Sequence, residues 1–157
     1  MDNKQVVTLA TNKELSTDIS MGDLANLMLA SDMQADLNEE ENYWGGGMYA
    51  RSLDMDKGQL IIGHIHSKHT VNILSKGAIL IKTRMEDEWE LIEAPFINIT
   101  PPNTQKLGYI LEDSTMVNVM ITDKTTIEET YMDVVVPHKG TALYKKYGID
   151  KLLEGDS

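Results

Sequence analysis

The feature that most constrains this chain is the run from Gly58 to Gly77, GQLIIGHIHSKHTVNILSKG, in which three of the four histidines fall within six residues among alternating aliphatics. In an extended strand successive side chains point to opposite faces. Leu60, Ile62, His64 and His66 therefore share one face, and Ile61, Gly63 and Ile65 the other. Two imidazoles are aimed the same way. Ser67, Lys68 and His69 then turn the chain, the period of two resumes at Thr70, and Gly77 closes the unit.

The same alternation extends in both directions. MYARSLDM from Met48, QLIIGHIH, TVNILS, GAILIK, EWELIE, FINIT, KLGYILE and MVNVMIT are eight short runs. They are separated by turn residues at Asp56-Lys57-Gly58, Ser67-Lys68, Ser75-Lys76-Gly77, Met85-Glu86-Asp87, Pro101-Pro102-Asn103 and Glu112-Asp113-Ser114. Parallel α/β folds need helices between strands, and none fit here, so the pattern predicts an all-β sandwich or closed barrel: a single jelly roll over 45–136. Strand character returns at Tyr131–Val136 before Pro137. Ahead of the barrel, 1–44 reads as an extension with a short strand at QVVTLA and an amphipathic helix over 21–33. Leu24, Leu27, Met28 and Met33 form its apolar stripe, and Ser20 or Asp23 caps it. The tail, 137–157, carries Leu143, Tyr144, Tyr147, Leu152 and Leu153 at mixed helical spacing and predicts short outer helices. The 157 residues make one domain.

Composition narrows the function. With 14 Lys and Arg against 25 Asp and Glu, the formal charge is −11, which repels polyanions at long range and disfavours duplex nucleic acid as a partner. A small anion in a local basic pocket remains compatible, with Arg51, Lys76, Lys82, Arg84 and Lys106 as candidate cations. Cysteine is absent, so there is no disulfide framework and no thiolate site. No cationic leader or apolar stretch of membrane-spanning length is visible, and the expected location is the cytoplasm. Neither a Gly-x-Ser-x-Gly elbow nor a phosphate-binding glycine loop occurs.

What remains is a polar inner surface. Tyr49, Arg51, His64, His66, Asn72, Lys106 and Tyr109 are its candidate ligand-binding members, since Arg and Lys make charge-assisted hydrogen bonds and a tyrosine face can stack on a base. Tyr109 shares strand parity with Leu107 and is equally a candidate core residue. Tyr43 and Trp44, directly before Gly45-Gly46-Gly47, read either as an aromatic flap over a planar ligand or as a connector whose rings enter the core. His64 and His66 with His69, Asn72 or a carboxylate such as Glu93 could give a three-ligand metal site, but a turn stands between His66 and His69. The Glu86, Asp87, Glu88 and Glu90 cluster reads as a solvated hairpin.

The spacing Gly58, five residues, His64-Ile65-His66, three residues, Thr70, six residues, Gly77 resembles the first motif of the cupin superfamily. That family carries a glutamate where this chain has Thr70. Against the second cupin motif, Pro101-Pro102-Asn103 matches the turn, with Asn103 tolerating positive φ, while the histidine position falls on Lys106 and the asparagine position on Ile110. The resemblance implies a cupin-like jelly-roll barrel in which two of four metal ligands are lost, leaving His64 and His66 as the remaining donors if any metal binds and no cofactor expected.

Tyr49-Ala50-Arg51, Gly63-His64-Ile65-His66, Asn72-Ile73, Lys76-Gly77, Ala94-Pro95 and Thr122-Asp123, spread over about Gly45 to Glu129, are similar to small cupin-like bacteriophage proteins. These include anti-CBASS sponges that sequester cyclic dinucleotides. The resemblance implies a non-enzymatic immune-evasion protein in the host bacterial cytoplasm that binds a cyclic dinucleotide such as 3′3′-cyclic GMP-AMP without cleaving it, as a homo-oligomer, specifically a tetramer. Two other readings stand beside it: a metal-dependent cupin enzyme acting on a small metabolite, and a phage structural or assembly protein.

Overall fold

Alternating aliphatics become strands largely where the sequence places them. The computed structural model describes residues 20–30 and 40–136. In chain order these form helix α1 (Met21–Ala30) and strands β1 (Glu40–Gly45), β2 (Met48–Met55), β3 (Leu60–Ile62), β4 (Thr70–Lys76) and β5 (Ala78–Lys82). Strands β6 (Glu90–Glu93), β7 (Phe96–Thr100), β8 (Leu107–Ile110) and β9 (Ser114–Ile121) follow, then helix α2 (Ile127–Val134). The expected strand at QVVTLA, the helix beyond Ala30 and the tail helices lie outside the described residues.

All strand pairs are antiparallel, in one sheet of order β1-β2-β9-β4-β7 and another of order β3-β8-β5-β6. With β1 set aside, the strands interleave as first, eighth, third, sixth and as second, seventh, fourth, fifth. That is the order of a jelly roll, as expected. The inner aliphatics Leu53, Met55, Leu74, Ile79, Ile92 and Ile110 pack together between the sheets. Helix α1 lies on the outside of the smaller sheet, where Leu24 meets Leu60, Met85 and Leu107, with Trp89 and Tyr109 alongside. Ser20 caps that helix, its Oγ accepting from the Asp23 amide at 3.1 Å.

Three segments depart from expectation. NYWGGGMYA is not a flap, and of its two leading aromatics Trp44 packs against a core cluster while Tyr43 stays exposed. The segment is a β1–β2 hairpin whose two turn residues, Gly46 and Gly47, have φ of 58° and 76°, the conformation that a two-residue turn requires to match strand twist. The 44/45 boundary between extension and barrel therefore runs through a hairpin. The strand expected over QLIIGHIH ends at Ile62, and beyond it only His66 bridges, to Val135. Finally, Tyr131–Val134 is helical. Thr126 caps α2 by accepting from the Glu129 amide, acidic Glu128 and Glu129 fill the first turn, and Thr130, Tyr131 and Val134 are buried. The β-branched run TYMDVVV suggests a strand by composition, but this cap and a helical apolar spacing from Ile127 prevail.

The outer face of the larger sheet is apolar over its β9-β4-β7 half. Register puts Ala50, Val119, Val71 and Ile99 in one row and Val117, Ile73 and Ile97 in the next. Ile97, Ile99 and Ile121 are 67%, 64% and 73% exposed.

Candidate functional site: a cationic barrel interior

One polar row crosses all five strands of the larger sheet. Asn42 faces Arg51, Arg51 faces Asn118, Asn118 faces Asn72, and Asn72 faces Asn98. The adjacent row is Leu53, Met116, Leu74 and Phe96. A polar band thus sits directly against an apolar one inside the same barrel. Side chains in the polar band are linked in one direction. Arg51 Nη2 donates to Asn118 Oδ1 at 3.2 Å, Asn118 Nδ2 to Asn72 Oδ1 at 2.8 Å, and Asn72 Nδ2 to Asn98 Oδ1 at 3.0 Å and Thr100 Oγ1 at 2.7 Å. Buried amides that satisfy one another in this way hold fixed rotamers.

The opposite wall comes from the segment after β3 and the turn before β8. The Gly63 amide donates to the Lys106 carbonyl at 2.9 Å, Gln105 Nε2 to the Gly63 carbonyl at 3.2 Å, and the Asn103 amide to the His66 carbonyl at 2.8 Å. Asn103 reaches this geometry with φ of 64°, as the turn spacing predicts. Helix α2 holds the histidine segment from its far side. The Val136 amide donates to Ile65 and the Ser67 amide to Val134, each at 2.8 Å, and the Tyr131 ring stands edge-on to His64 with centroids 5.5 Å apart. Asp133 secures the helix by accepting from Lys68 Nζ and Thr122 Oγ1, each at 2.6 Å.

Between these walls lies a cavity of about 120 Å³. Arg51, His64, His66, Asn72, Thr100, Thr104, Lys106 and Asn118 line its polar part, and Leu53, Met55, Ile61, Ile79, Ile81, Ile110 and Met116 its apolar part. No aspartate or glutamate is among the lining residues.

Burial lowers the His64 pKa to about 3, with Arg51 and His66 pushing the same way, and lowers that of His66 to about 4, with help from Arg51 and Lys106. Both imidazoles are neutral at pH 7. Burial also brings Lys106 down to about 8, so it is still mostly charged there. Burial opposes the Arg51 charge too, but Tyr131, Glu40 and Tyr49 outweigh it and hold the pKa above its usual value. Arg51 Nη1 is 3.4 Å from Tyr131 Oη and 3.9 Å from Glu40 Oε1, while its buried Nε has no hydrogen-bond partner among the described residues.

The structure brings together five sequence-predicted residues, Arg51, His64, His66, Asn72 and Lys106. It places the other five elsewhere. Tyr43 is on the outer face, 55% exposed and bonded to Glu41. Trp44 stacks on Tyr49 at 5.5 Å and donates to Thr130 Oγ1, and Tyr49 joins Met120 and Val134 in a separate core. His69 is exposed, beyond the turn that parts it from His66. Tyr109 packs under α1, on the face it shares with Leu107. Sequence reasoning missed Asn98 and Asn118, although each is a lone amide inside an aliphatic strand, FINIT and MVNVMIT. It also missed Tyr131 and Glu40, which meet Arg51 from distant elements.

The arrangement does not suit a divalent cation. Thr70, in place of a carboxylate, approaches His66 Nδ1 at 3.3 Å, and no group of three or more His, Asp or Glu that could hold a metal occurs among the described residues. Two cations, Arg51 and Lys106, line the space with the imidazoles, and their charge, which adds to burial in lowering the imidazole pKa values, also repels a metal ion.

No protein-family model and no curated protein matches the chain. Among solved structures, it is similar to a cupin superfamily protein from Desulfitobacterium hafniense, at 13% identity over 61% of this chain and 89% of that one, with a TM-score of 0.45. KdgF from Halomonas sp. aligns at 17% identity over 60% of this chain and 91% of its own, with a TM-score of 0.47. A cupin-2 domain protein from Shewanella frigidimarina aligns at 10% identity over 70% and 99%, with a TM-score of 0.45. The jelly-roll assignment rests on the strand order and register of this chain itself.

Proposed function

We propose that this protein is a non-enzymatic binding module that holds a small anion inside its barrel. The observation that carries the reading is the composition of the cavity wall: Arg51 and Lys106 contribute charge, and no carboxylate is among the lining residues, Glu40 approaching Arg51 from outside them at 3.9 Å. A desolvated guanidinium and ammonium bind carboxylate or phosphate far better than they do in water. Neutral His64 and His66 complete the wall as hydrogen-bonding partners and set no requirement for a metal.

The cyclic-dinucleotide expectation belongs to this reading in a restricted form. Pockets that enclose drug-sized ligands hold roughly 300–1,000 Å³, against about 120 Å³ here. A nucleotide would enter by one phosphate, with its bases outside the barrel. Self-association is part of the same proposal, supported by the exposed Ile97, Ile99 and Ile121 face.

Calorimetry of the full chain with acetate, inorganic phosphate and 3′3′-cyclic GMP-AMP, with chromatography of the recovered ligand and metal analysis of the protein, tests it. Stoichiometric binding of at least one anion, recovered unchanged by protein holding well below one equivalent of metal, is expected. Cleaved ligand, a full equivalent of iron, zinc, manganese or nickel, or no anion binding at all would reject it.

A further inference from the structure

We infer that the anion this cavity takes is a small amphiphile, a monocarboxylate bearing a short unbranched apolar chain, with its carboxylate at Arg51 and its chain in the aliphatic half of the barrel. The inference rests on the anion-binding reading and adds the ligand class.

Two observations carry it. The first is the sharp division of the wall. Arg51 and Asn118 stand opposite each other on β2 and β9, and the next inward-facing pair along the same strands is Leu53 and Met116. A ligand whose charge meets Arg51 has an apolar wall for its remainder in Leu53 and Met116, with Ile79 and Ile81 on the facing sheet. Inorganic phosphate or sulfate, polar on every side, would leave that half of the space unused. Hydroxyls or a second charge carried into the half lined by Leu53, Met116, Ile79 and Ile81 would meet no donor or acceptor there, which is costly.

The second observation is size. A cavity of about 150 Å³ accepts a benzene molecule, so the 120 Å³ found here corresponds to about five or six non-hydrogen atoms by the same measure. Two oxygens of a carboxylate leave room for about three or four carbons, the length of propionate or butyrate. Arg51 lines the space, and a guanidinium favours planar carboxylate recognition.

A homologous series on the wild-type full chain decides this without a variant. Dissociation constants for formate, acetate, propionate, butyrate, valerate and hexanoate are measured at pH 7, with inorganic phosphate and 1-butanol as controls. Each added methylene up to butyrate should tighten binding about fourfold, with the gain lost by hexanoate. Butanol should bind at least tenfold more weakly than butyrate. If acetate and phosphate bind but lengthening the chain brings no gain, the ligand class is overturned while the anion reading stands. Should butanol match butyrate, or no anion bind, both fail together. Ile79→Val, a conservative enlargement of the apolar half, should move the optimum toward the longer acids; an unchanged optimum in the folded variant would count against a chain seated there.

Discussion

Arg51 and Asn118 are cross-strand partners on β2 and β9, and the guanidinium of the first donates to the side-chain carbonyl of the second at 3.2 Å. That bond begins the chain of amides through Asn72 to Asn98, so the barrel's buried charge is oriented by a row of uncharged side chains. Among the described residues its one close carboxylate, Glu40 at 3.9 Å, lies outside the lining.

Arg51→Met should therefore weaken anion capture while preserving the fold. Hydrogen bonds to a charged group contribute about 1.5–3 kcal/mol, so the dissociation constant for acetate or phosphate should rise at least about tenfold, read by calorimetry. Thermal unfolding should shift to lower temperature, because the change leaves Glu40, Tyr131 and Asn118 without their shared partner, and circular dichroism checks that the variant is folded. Glu40→Gln should act in the opposite direction, tightening binding by removing the competing carboxylate.

Acid should weaken the fold through the two buried imidazoles. Their folded pKa values, about 3 for His64 and about 4 for His66, lie below the ordinary 6.5, so between pH 6.5 and about 4 the unfolded chain binds more protons than the native one. Stability then falls as pH falls, by up to about 1.4 kcal/mol per unit for each histidine. Urea midpoints at pH 7, 6 and 5 should show this slope, and His64→Gln with His66→Gln should flatten it. At the other extreme, Lys106 is held at about 8 rather than 10.5, so its contribution to stability improves between those values while anion affinity declines as its charge is lost.

Gly77→Ala should be among the most disruptive single changes. Gly77 has φ of 91°, and a Cβ there would stand 2.0 Å from Ser114 Oγ and 2.6 Å from the Asp113 carbonyl oxygen. Left-handed strain of about 1–3 kcal/mol adds to a backbone clash that cannot rotate away. Thermal denaturation or soluble yield should fall sharply, whereas Gly45→Ala, with nothing within 4 Å of its Cβ, should be tolerated.

Ile99→Asp tests the outer face. It puts a carboxylate into the row Ala50, Val119, Val71 and Ile99, leaving the barrel interior untouched. If the chain self-associates through this sheet, sedimentation velocity should show the wild type as an oligomer and the variant as a monomer with unchanged circular dichroism. A variant that remains assembled would exclude the face.

The barrel was legible because its determinants are local. Period-two alternation and turn residues mark β2 and β7 to the residue, and Asn103 could be assigned positive φ from its place after two prolines. The histidine pair and Lys106 were found through motif spacing, but the expected common face of Leu60, Ile62, His64 and His66 is not kept: the strand ends at Ile62, so Leu60 and Ile62 pack outward under α1 while His64 and His66 line the interior beside Ile61. The rest depends on register between distant strands. Nothing local tells that Asn118 faces both Arg51 and Asn72, or that Tyr131, 80 residues from Arg51, reaches its guanidinium. The aromatics misled for the same reason. Tyr43, Trp44 and Tyr49 are contiguous with the glycines, but the hairpin sends Tyr43 outward and stacks Trp44 on Tyr49.

The chain as a whole carries a formal charge of −11, while the space enclosed by its sheets is positive. An approaching anion first meets repulsion and finds attraction only after it has shed its water. Mobile ions soften the outer repulsion, since screening acts over about 8–10 Å in solution and far less in a buried seat. Loading should accordingly quicken as ionic strength rises while release hardly changes, the reverse of what an exposed basic patch would do.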